Sequence, residues 1–129
     1  MEIKKQEAFD ILNAWRTDQR LVQCGLNVGA RRISQILGRV DTVQESFIHI
    51  SASRLDIPSG DRFCITIPVA NIRHYEYVEG HEAPQDYLPN ILEERFKGMI
   101  GLECIDGLKL AILAFKTSEE RRDENDRQT

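Results

Sequence analysis

The side chains best suited to chemistry gather in one short stretch, RHYEYVEGH, at residues 73–81. If this stretch is a strand, His74 and Glu76 share one face, and the neighbouring arginine and tyrosines share the other. His49 lies on an earlier strand and could approach His74 if the sheet closes on itself. Imidazole and carboxylate groups are ligands of zinc and other borderline metals. The candidate metal ligands are His49, His74, Glu76 and His81.

The spacing of these four residues matches no established metal-ligand motif. We favour a simpler interpretation, the end of an exposed strand, in which Tyr75 and Tyr77 cover the core and His74 and Glu76 face water. The sequence also has no nucleophile elbow, Walker loop, dinucleotide-binding glycine motif, HExxH pair or calcium-binding loop. We therefore expect no stoichiometric metal, no cofactor, no catalytic residues and no enzymatic activity.

Positive charge is concentrated near the beginning of the sequence. Residues 1–40 contain seven Lys or Arg and four Asp or Glu, whereas residues 41–129 contain ten and seventeen, for a net charge of −4. A local excess of this kind can contact phosphate groups, but aromatic residues for base stacking are missing around it. The alternative is a solvated surface. The candidate residues for nucleic-acid or nucleotide binding are Arg16, Arg20, Arg31, Arg32 and Arg39.

Three isolated cysteines, Cys24, Cys64 and Cys104, form no CxxC pair. An odd number of cysteines without framework spacing is typical of reduced thiols in a cytosolic protein. No apolar run reaches the ~20 residues that a membrane-spanning helix needs, and no secretory h-region is visible. We therefore expect a cytoplasmic protein that does not enter a membrane.

The spacing of apolar residues predicts the elements that must position these side chains. A helix is predicted over residues 3–18, and its apolar face consists of Ala8, Ile11, Leu12 and Trp15, with Phe9 at the margin. Beyond it, alternating apolar residues predict strands. These strands cover residues 21–28, 32–43, 46–52, 63–67 and 72–78. Gly38 predicts a bulge or bend in the second strand, and Pro68 limits the fourth strand or places it at an edge.

The last third of the sequence predicts a second helix and a hairpin. Residues 85–97 have helical spacing, with Pro89 in the first turn. Two apolar segments then flank Asp106 and Gly107, a strong turn signal. The charged segment 117–129 is predicted to be a disordered tail after a single domain at 1–116.

Residues 108–115, LKLAILAF, are apolar on both faces, so both faces must be covered. The second helix could supply the second cover within the chain. We favour instead a two-fold contact with another copy, since two-fold dimers are the commonest assembly. The predicted interface residues are Leu108, Leu110, Ile112, Leu113 and Phe115.

A helix followed by four or five short strands, one bent at the glycine of LGRV, resembles the Sm-like small β-barrels over about residues 5–78. Proteins of that family often form rings that bind RNA through an Asp-x-x-x-Asn segment and an Arg-Gly pair. Here the first segment reads DTVQES, and the chain has no Arg-Gly dipeptide. The resemblance therefore implies a fold and does not carry RNA binding with it.

A second resemblance is to PilZ domains, which bind cyclic di-GMP through Arg-x-x-x-Arg and Asp/Asn-x-Ser-x-x-Gly segments. Arg16 and Arg20 in RTDQR match the first segment, and Ser51 in HISASR matches the second. His49 stands where the acid or amide belongs, and Arg54 stands where the glycine belongs. The resemblance implies a nucleotide-binding alternative through the two matching arginines.

These patterns together predict an α+β protein. The expected order is an N-terminal helix, a strongly bent antiparallel five-stranded small barrel, a second helix and a C-terminal β-hairpin. The predicted function is a non-enzymatic module for protein interaction or self-assembly, and a homodimer is the expected state. The alternatives are an RNA- or nucleotide-binding barrel and, third, a metal-binding protein.

Overall fold

The structure, a computed structural model, describes residues 1–28, 31–53, 62–79, 96–117 and 119–120. Within these ranges it contains one α-helix, α1 (Lys5–Thr17), and one seven-stranded antiparallel sheet. The strands are β1 (Leu21–Val28), β2 (Arg31–Val43), β3 (Phe47–Ser53), β4 (Arg62–Pro68), β5 (Ile72–Glu79), β6 (Phe96–Cys104) and β7 (Leu108–Phe115). A short 3-10 turn, Val69–Asn71, links β4 to β5. No helix in the described ranges has the length and apolarity needed to cross a bilayer.

The strand order is β4-β3-β2-β1-β7-β6-β5, so two antiparallel meanders join where β1 pairs with β7. The sheet is open, with β4 and β5 at its edges. The predicted five-stranded barrel with two helices is therefore wrong, and the protein is mostly β. The predicted hairpin is present, but β6 and β7 extend the sheet beside β1 instead of standing apart from a barrel. An interior position suits β7 because both of its faces are apolar.

The predicted first helix is confirmed, with a small change in its buried face. Four side chains of α1 are buried: Ala8, Phe9, Leu12 and Trp15. Phe9 lies edge-on to the ring of Tyr75, with 6.4 Å between centroids, and Ile11 is only partly buried. This face packs on one side of the sheet and encloses the main core with side chains from all seven strands.

The helix ends in a Schellman motif without glycine. The N–H of Gln19 donates to the carbonyl of Arg16 at 3.1 Å, and the N–H of Arg20 donates to the carbonyl of Trp15 at 3.0 Å. Gln19 has a φ of 52°, in the left-handed region where glycine is usual. This turn places Arg20 immediately before the start of β1.

Two local predictions change in detail. β2 has two irregularities, one between Val40 and Thr42 in its pairing with β3 and one between Arg32 and Ser34 in its pairing with β1, and neither is at Gly38. Of the predicted helix at 85–97, residues 85–95 lie outside the described residues, and Phe96 and Lys97 begin β6.

The turn of the predicted hairpin is formed by Asp106 and Gly107, as the sequence predicts. Gly107 has a φ of 86°, a conformation that residues with a Cβ disfavour. The N–H of Leu108 donates to Oδ1 of Asp106 at 3.1 Å, which holds the turn between β6 and β7.

The two faces of the sheet carry separate apolar clusters. The second cluster lies on the face opposite α1 and consists of Phe96, Met99, Ala111 and Leu113. Because β7 contributes buried side chains to both clusters, the prediction that both of its faces are covered is confirmed.

Candidate functional site

The histidines singled out by the sequence lie apart in the sheet order. His49 is on β3, and its Nε2 lies 2.5 Å from Oγ1 of Thr66 on β4. His74 is on β5, and its Nδ1 lies 3.3 Å from the carboxylate of Glu2. Four strands separate β3 from β5, and His81 lies outside the described residues. Within the described ranges, no three His, Cys, Asp or Glu side chains gather where a metal ion would sit.

Tyr75 and Tyr77 face the main core, as the favoured interpretation of RHYEYVEGH expects. The hydroxyl of Tyr75 is buried without a hydrogen-bond partner in the described part of the chain. Burial and then the nearby Cys104 raise the pKa of Tyr75. A phenol that stays protonated in the core packs as a hydrophobic side chain, so this tyrosine is structural.

Arg20 is a buried structural residue. Its side chain is 5% exposed, and its Nη1 donates to the carbonyl of Phe115 at 3.0 Å and to Glu120 at 2.5 Å. Its Nη2 contacts Asp18 at 3.2 Å. Glu120 also accepts from Nζ of Lys97 at 2.8 Å. With Nη1 and Nη2 engaged within the protein and Nε buried, without a hydrogen-bond partner among the described residues, Arg20 is not placed to bind an external phosphate.

Glu120 is the acidic centre of this network. Burial alone would raise its pKa, but hydrogen bonds from Arg20, Lys97 and the N–H of Thr117 outweigh burial and lower the pKa of Glu120 to about 2. The hydroxyl of Thr117 accepts from the N–H of Glu120 in return, at 3.3 Å. These two residues belong to the segment predicted as a disordered tail. Residues 121–129 lie outside the described residues, so that prediction stays open.

The other candidate arginines do not converge on a phosphate site. Arg16 donates to Oδ1 of Asn13 at 3.4 Å on the exposed side of α1. Arg39 on β2 donates to the carbonyl of Gln19 at 3.1 Å. Arg31 and Arg32 open β2, and their side chains fall outside what the structure describes. Nucleic-acid or nucleotide binding therefore stays a prediction.

The residues predicted to form a dimer interface lie on both faces of β7. Leu110 and Ile112 belong to the main core, whereas Leu113 belongs to the second cluster, and all three are buried within one chain. Leu108 and Phe115 are half-buried. Self-association stays a prediction. Because these three side chains are already buried within one chain, a contact between two folded chains must use other side chains.

The two cysteines that the structure describes with their side chains are buried free thiols, Cys24 and Cys104. Burial raises the pKa of Cys24 to about 12. Burial and then Asp106 raise the pKa of Cys104. Because the thiolate is the reactive form, both thiols are inert near neutral pH and serve as small core residues.

The chain's own N-terminal residues cover the edge of the sheet at β5. The N–H of Ile3 donates to the carbonyl of Tyr75 at 3.0 Å, and the N–H of Tyr77 donates to the carbonyl of Met1 at 2.9 Å. Glu2 forms a bridge opposite Glu76 between these bonds. This short addition satisfies part of the backbone of an edge strand.

The opposite edge is different. β4 pairs with β3 in an unbroken register from Phe47 and Pro68 to Ser53 and Arg62, and within the described ranges no strand pairs with its outer side. Thr66 is exposed there. An unbulged edge strand presents a row of backbone N–H and C=O groups that can accept another strand. This edge is the candidate interaction site. Pro68, which the sequence predicted either to limit the fourth strand or to place it at an edge, is the last residue of this edge strand.

Comparison with known proteins adds no assignment. The chain matches no protein-family model, and no similar curated protein and no similar solved structure is found. The fold-level resemblance to Sm-like barrels is therefore neither supported nor refuted by a relative, and the site rests on its geometry.

Proposed function

We propose that the protein is a non-enzymatic interaction module that self-associates along the outer edge of β4. The observation that supports this is the contrast between the two sheet edges. Residues 1–3 pair with β5, whereas the outer side of β4 has no paired strand in the described part of the chain. Exposed strand edges of this kind can pair with a strand of another chain, and natural proteins usually have features that prevent such pairing.

A second copy of the chain is the occupant that we propose. Antiparallel pairing about a two-fold axis places the same strand opposite itself and makes a closed, isologous contact. The centre of β4 reads Ile65-Thr66-Ile67, and β-branched residues pair favourably across strands. The resulting sheet would run continuously through two protomers.

We also infer a cytoplasmic location and a non-catalytic role. Buried, unpaired thiols at Cys24 and Cys104 support a reducing compartment. The described histidines, His49 and His74, are engaged with Thr66 and Glu2 and lie on separate strands. RNA or nucleotide binding remains the alternative, and the engagement of Arg20 within the fold weighs against its PilZ-like form.

Sedimentation velocity of wild type and Thr66→Lys tests the proposal. We expect wild type to be dimeric at about 100 µM and to dissociate near about 1 µM, a range that a modest interface gives. Thr66→Lys should be monomeric throughout, because two lysines meet near the two-fold axis and edge lysines disfavour strand addition. Backbone amides of β4 should exchange more slowly at the higher protein concentration.

Thr17→Lys is the matched control, since it adds the same charge at the exposed end of α1, far from β4 in the sequence. This variant should keep the wild-type dimer. A wild-type protein that stays monomeric at about 100 µM contradicts the proposal. So does a Thr66→Lys protein with the wild-type association constant, because the contact would then lie elsewhere.

A further inference from the structure

The outer side of β5 is the second place where this sheet can accept another strand. β5 lies at the edge of the sheet, and in the described ranges the only segment that pairs with its outer side is residues 1–3. The carbonyl of Tyr75 accepts from Ile3, and the N–H of Tyr77 donates to Met1. Tyr75 and Tyr77 therefore direct backbone groups outward. We call residues 1–3 the edge cover.

The edge cover places two like charges opposite each other. Glu2 forms a bridge opposite Glu76. The hydrogen bonds of the neighbouring residues flank this pair, which is therefore of the non-hydrogen-bonded type, in which side chains approach most closely. Like charges directly opposite each other are destabilising. Nδ1 of His74 lies 3.3 Å from the carboxylate of Glu2, but the Glu2 side chain is 75% exposed, so this contact offsets only part of the repulsion.

The edge cover stays in place because it is tethered beside β5. Ile3 packs against the main core, and its N–H donates to the carbonyl of Tyr75 at 3.0 Å. α1 begins two residues later, at Lys5. A segment attached in this way competes with any second chain at a high effective concentration. The cover therefore keeps β5 closed in the wild-type protein, although its charges are poorly matched.

A second copy of β5 would match the charges better. Antiparallel pairing about a two-fold axis at Tyr75 places Tyr75 of both chains in a hydrogen-bonded pair. His74 of each chain then lies opposite Glu76 of the other, again in a non-hydrogen-bonded pair. A two-fold axis at Glu76 would instead place two glutamates opposite each other. Charge therefore favours the register centred on Tyr75.

This contact between two chains is short. A register shift between Ile72 and His74 interrupts the regular pairing of β5 with β6 at that end, and such irregularities disfavour strand addition. Regular pairing therefore involves only a few residues around Tyr75. We expect weak association that depends on the two pairs of His74 with Glu76.

We propose that β5 is a second self-association edge and that residues 1–3 are an autoinhibitory contact that keeps it closed. The occupant of the opened edge is β5 of another copy, in the register that places His74 opposite Glu76. This contact forms whether or not β4 pairs with β4. One consequence rests on the proposed function: with both edges open, each chain has two different partners, and dimers join into an open ribbon. The edge cover then limits the assembly to a dimer.

Sedimentation velocity in the Thr66→Lys background tests the proposal, because this substitution blocks the outer edge of β4. Ile3→Asp places a carboxylate where Ile3 packs against the main core, and it should release the edge cover. We expect the Ile3→Asp/Thr66→Lys protein to be dimeric at about 100 µM and monomeric near about 1 µM. A monomer at the higher concentration contradicts the proposal. Failure of the β4 contact would appear separately, in wild type and in Thr66→Lys alone.

Ile11→Asp in the same background is the matched control. Ile11 is also a partly buried isoleucine that packs against the main core, but it lies on α1. This variant should show no association beyond that of Thr66→Lys. Equal association of the two isoleucine variants would mean that lost stability, and not an opened edge, is the cause, and the proposal would be wrong. If circular dichroism shows that Ile3→Asp is unfolded, Ile3→Gly takes its place.

An exchange of charges tests the register. In the Ile3→Asp/Thr66→Lys background, His74→Glu places two glutamates opposite each other, and Glu76→Lys places a lysine opposite His74. Each variant alone should associate about tenfold more weakly. An equimolar mixture should regain the association, because the introduced glutamate then faces the introduced lysine and Glu76 again faces His74. A mixture that associates no better than the separate variants would reject this register and the proposal with it.

Discussion

Gln19 occupies a position that its side chain does not favour. Its φ of 52° lies in the left-handed region, and the motif that closes α1 depends on that conformation, since Gln19 and Arg20 donate to the last carbonyls of the helix. Residues with a Cβ adopt this region at a cost of about 1 kcal/mol or more. The folded protein keeps Gln19 in this strained conformation because the next residue, Arg20, is fixed by its buried hydrogen bonds and ion pairs.

Replacement of this residue by glycine should therefore stabilise the protein. We expect Gln19→Gly to raise the free energy of unfolding by about 0.5–1 kcal/mol, measured by urea denaturation. Gln6→Gly is the matched control within the exposed part of α1, and it should lower stability by about 1 kcal/mol. A loss of stability in both variants would mean that the left-handed conformation is not a source of strain.

At the scale of elements, the edge of β5 depends on three residues from the other end of the sequence. The bonds from Ile3 to Tyr75 and from Tyr77 to Met1 bring the chain beside β5 just before α1 begins. The helix and the edge strand are thus fastened to each other through the backbone, in addition to the ring contact between Phe9 and Tyr75.

Removal of one donor should loosen this edge. Ile3→Pro eliminates the N–H that bonds Tyr75, and we expect stability to fall by about 1–2 kcal/mol. The amide of Tyr77 should exchange with solvent faster. Lys5→Pro introduces the same residue at the first position of α1, where proline is tolerated, and should leave that exchange rate unchanged. Equal protection of Tyr77 in Ile3→Pro and wild type would contradict this role.

The elements were predictable from local patterns, but their pairing was not. Helical spacing identified α1, and alternation identified β1 to β5 within one or two residues, because these signals depend on near neighbours. The pairing of Val22 with Ala114 is not encoded in either segment alone. The apolar faces of β7 correctly indicated a covered strand, yet they did not specify β1 as its neighbour.

The candidate site was also only partly predictable from local sequence patterns. The sequence indicated that Pro68 either limits the fourth strand or places it at an edge, but it could not show that the other edge is covered by residues 1–3. It also could not distinguish Arg20 from Arg16. Both occur in RTDQR, and only the fold reveals that Arg20 points into the interior toward Phe115 and Glu120.

At the scale of the whole molecule, the Arg20 network joins parts of the chain that are far apart in sequence. Arg20, at the start of β1, contacts the carbonyl of Phe115 and the carboxylate of Glu120. Lys97, at the start of β6, contacts the same carboxylate. One ionised side chain therefore holds together the ends of several strands, and its protonation should affect global stability.

The pKa of Glu120, about 2 against an ordinary value of 4.5, gives the sign of this effect. Because the folded pKa is depressed, the stabilisation is complete above about pH 5 and is lost as the pH falls toward 2. We expect the loss attributable to this group to be about 2 kcal/mol, measured by urea denaturation between pH 6 and pH 2. Glu120→Gln should remove most of it.

Glu119→Gln provides the control, since Glu119 is the exposed neighbour of Glu120. This variant should follow the wild-type profile. If Glu120→Gln loses as much stability on acidification as wild type does, other carboxylates govern the acid response.

The strand order also determines when the protein can fold during its synthesis. β1 to β4 emerge from the ribosome first and can form a meander. One edge of β1 then stays unpaired until β7 has emerged, which requires synthesis of the chain beyond residue 115. Until that moment a central strand of the finished protein is an open edge. Pairing between residues that lie 80 to 92 positions apart is slow because a long loop must close first. A nascent chain stalled between β4 and β7 should therefore be a target for chaperones that protect exposed strands.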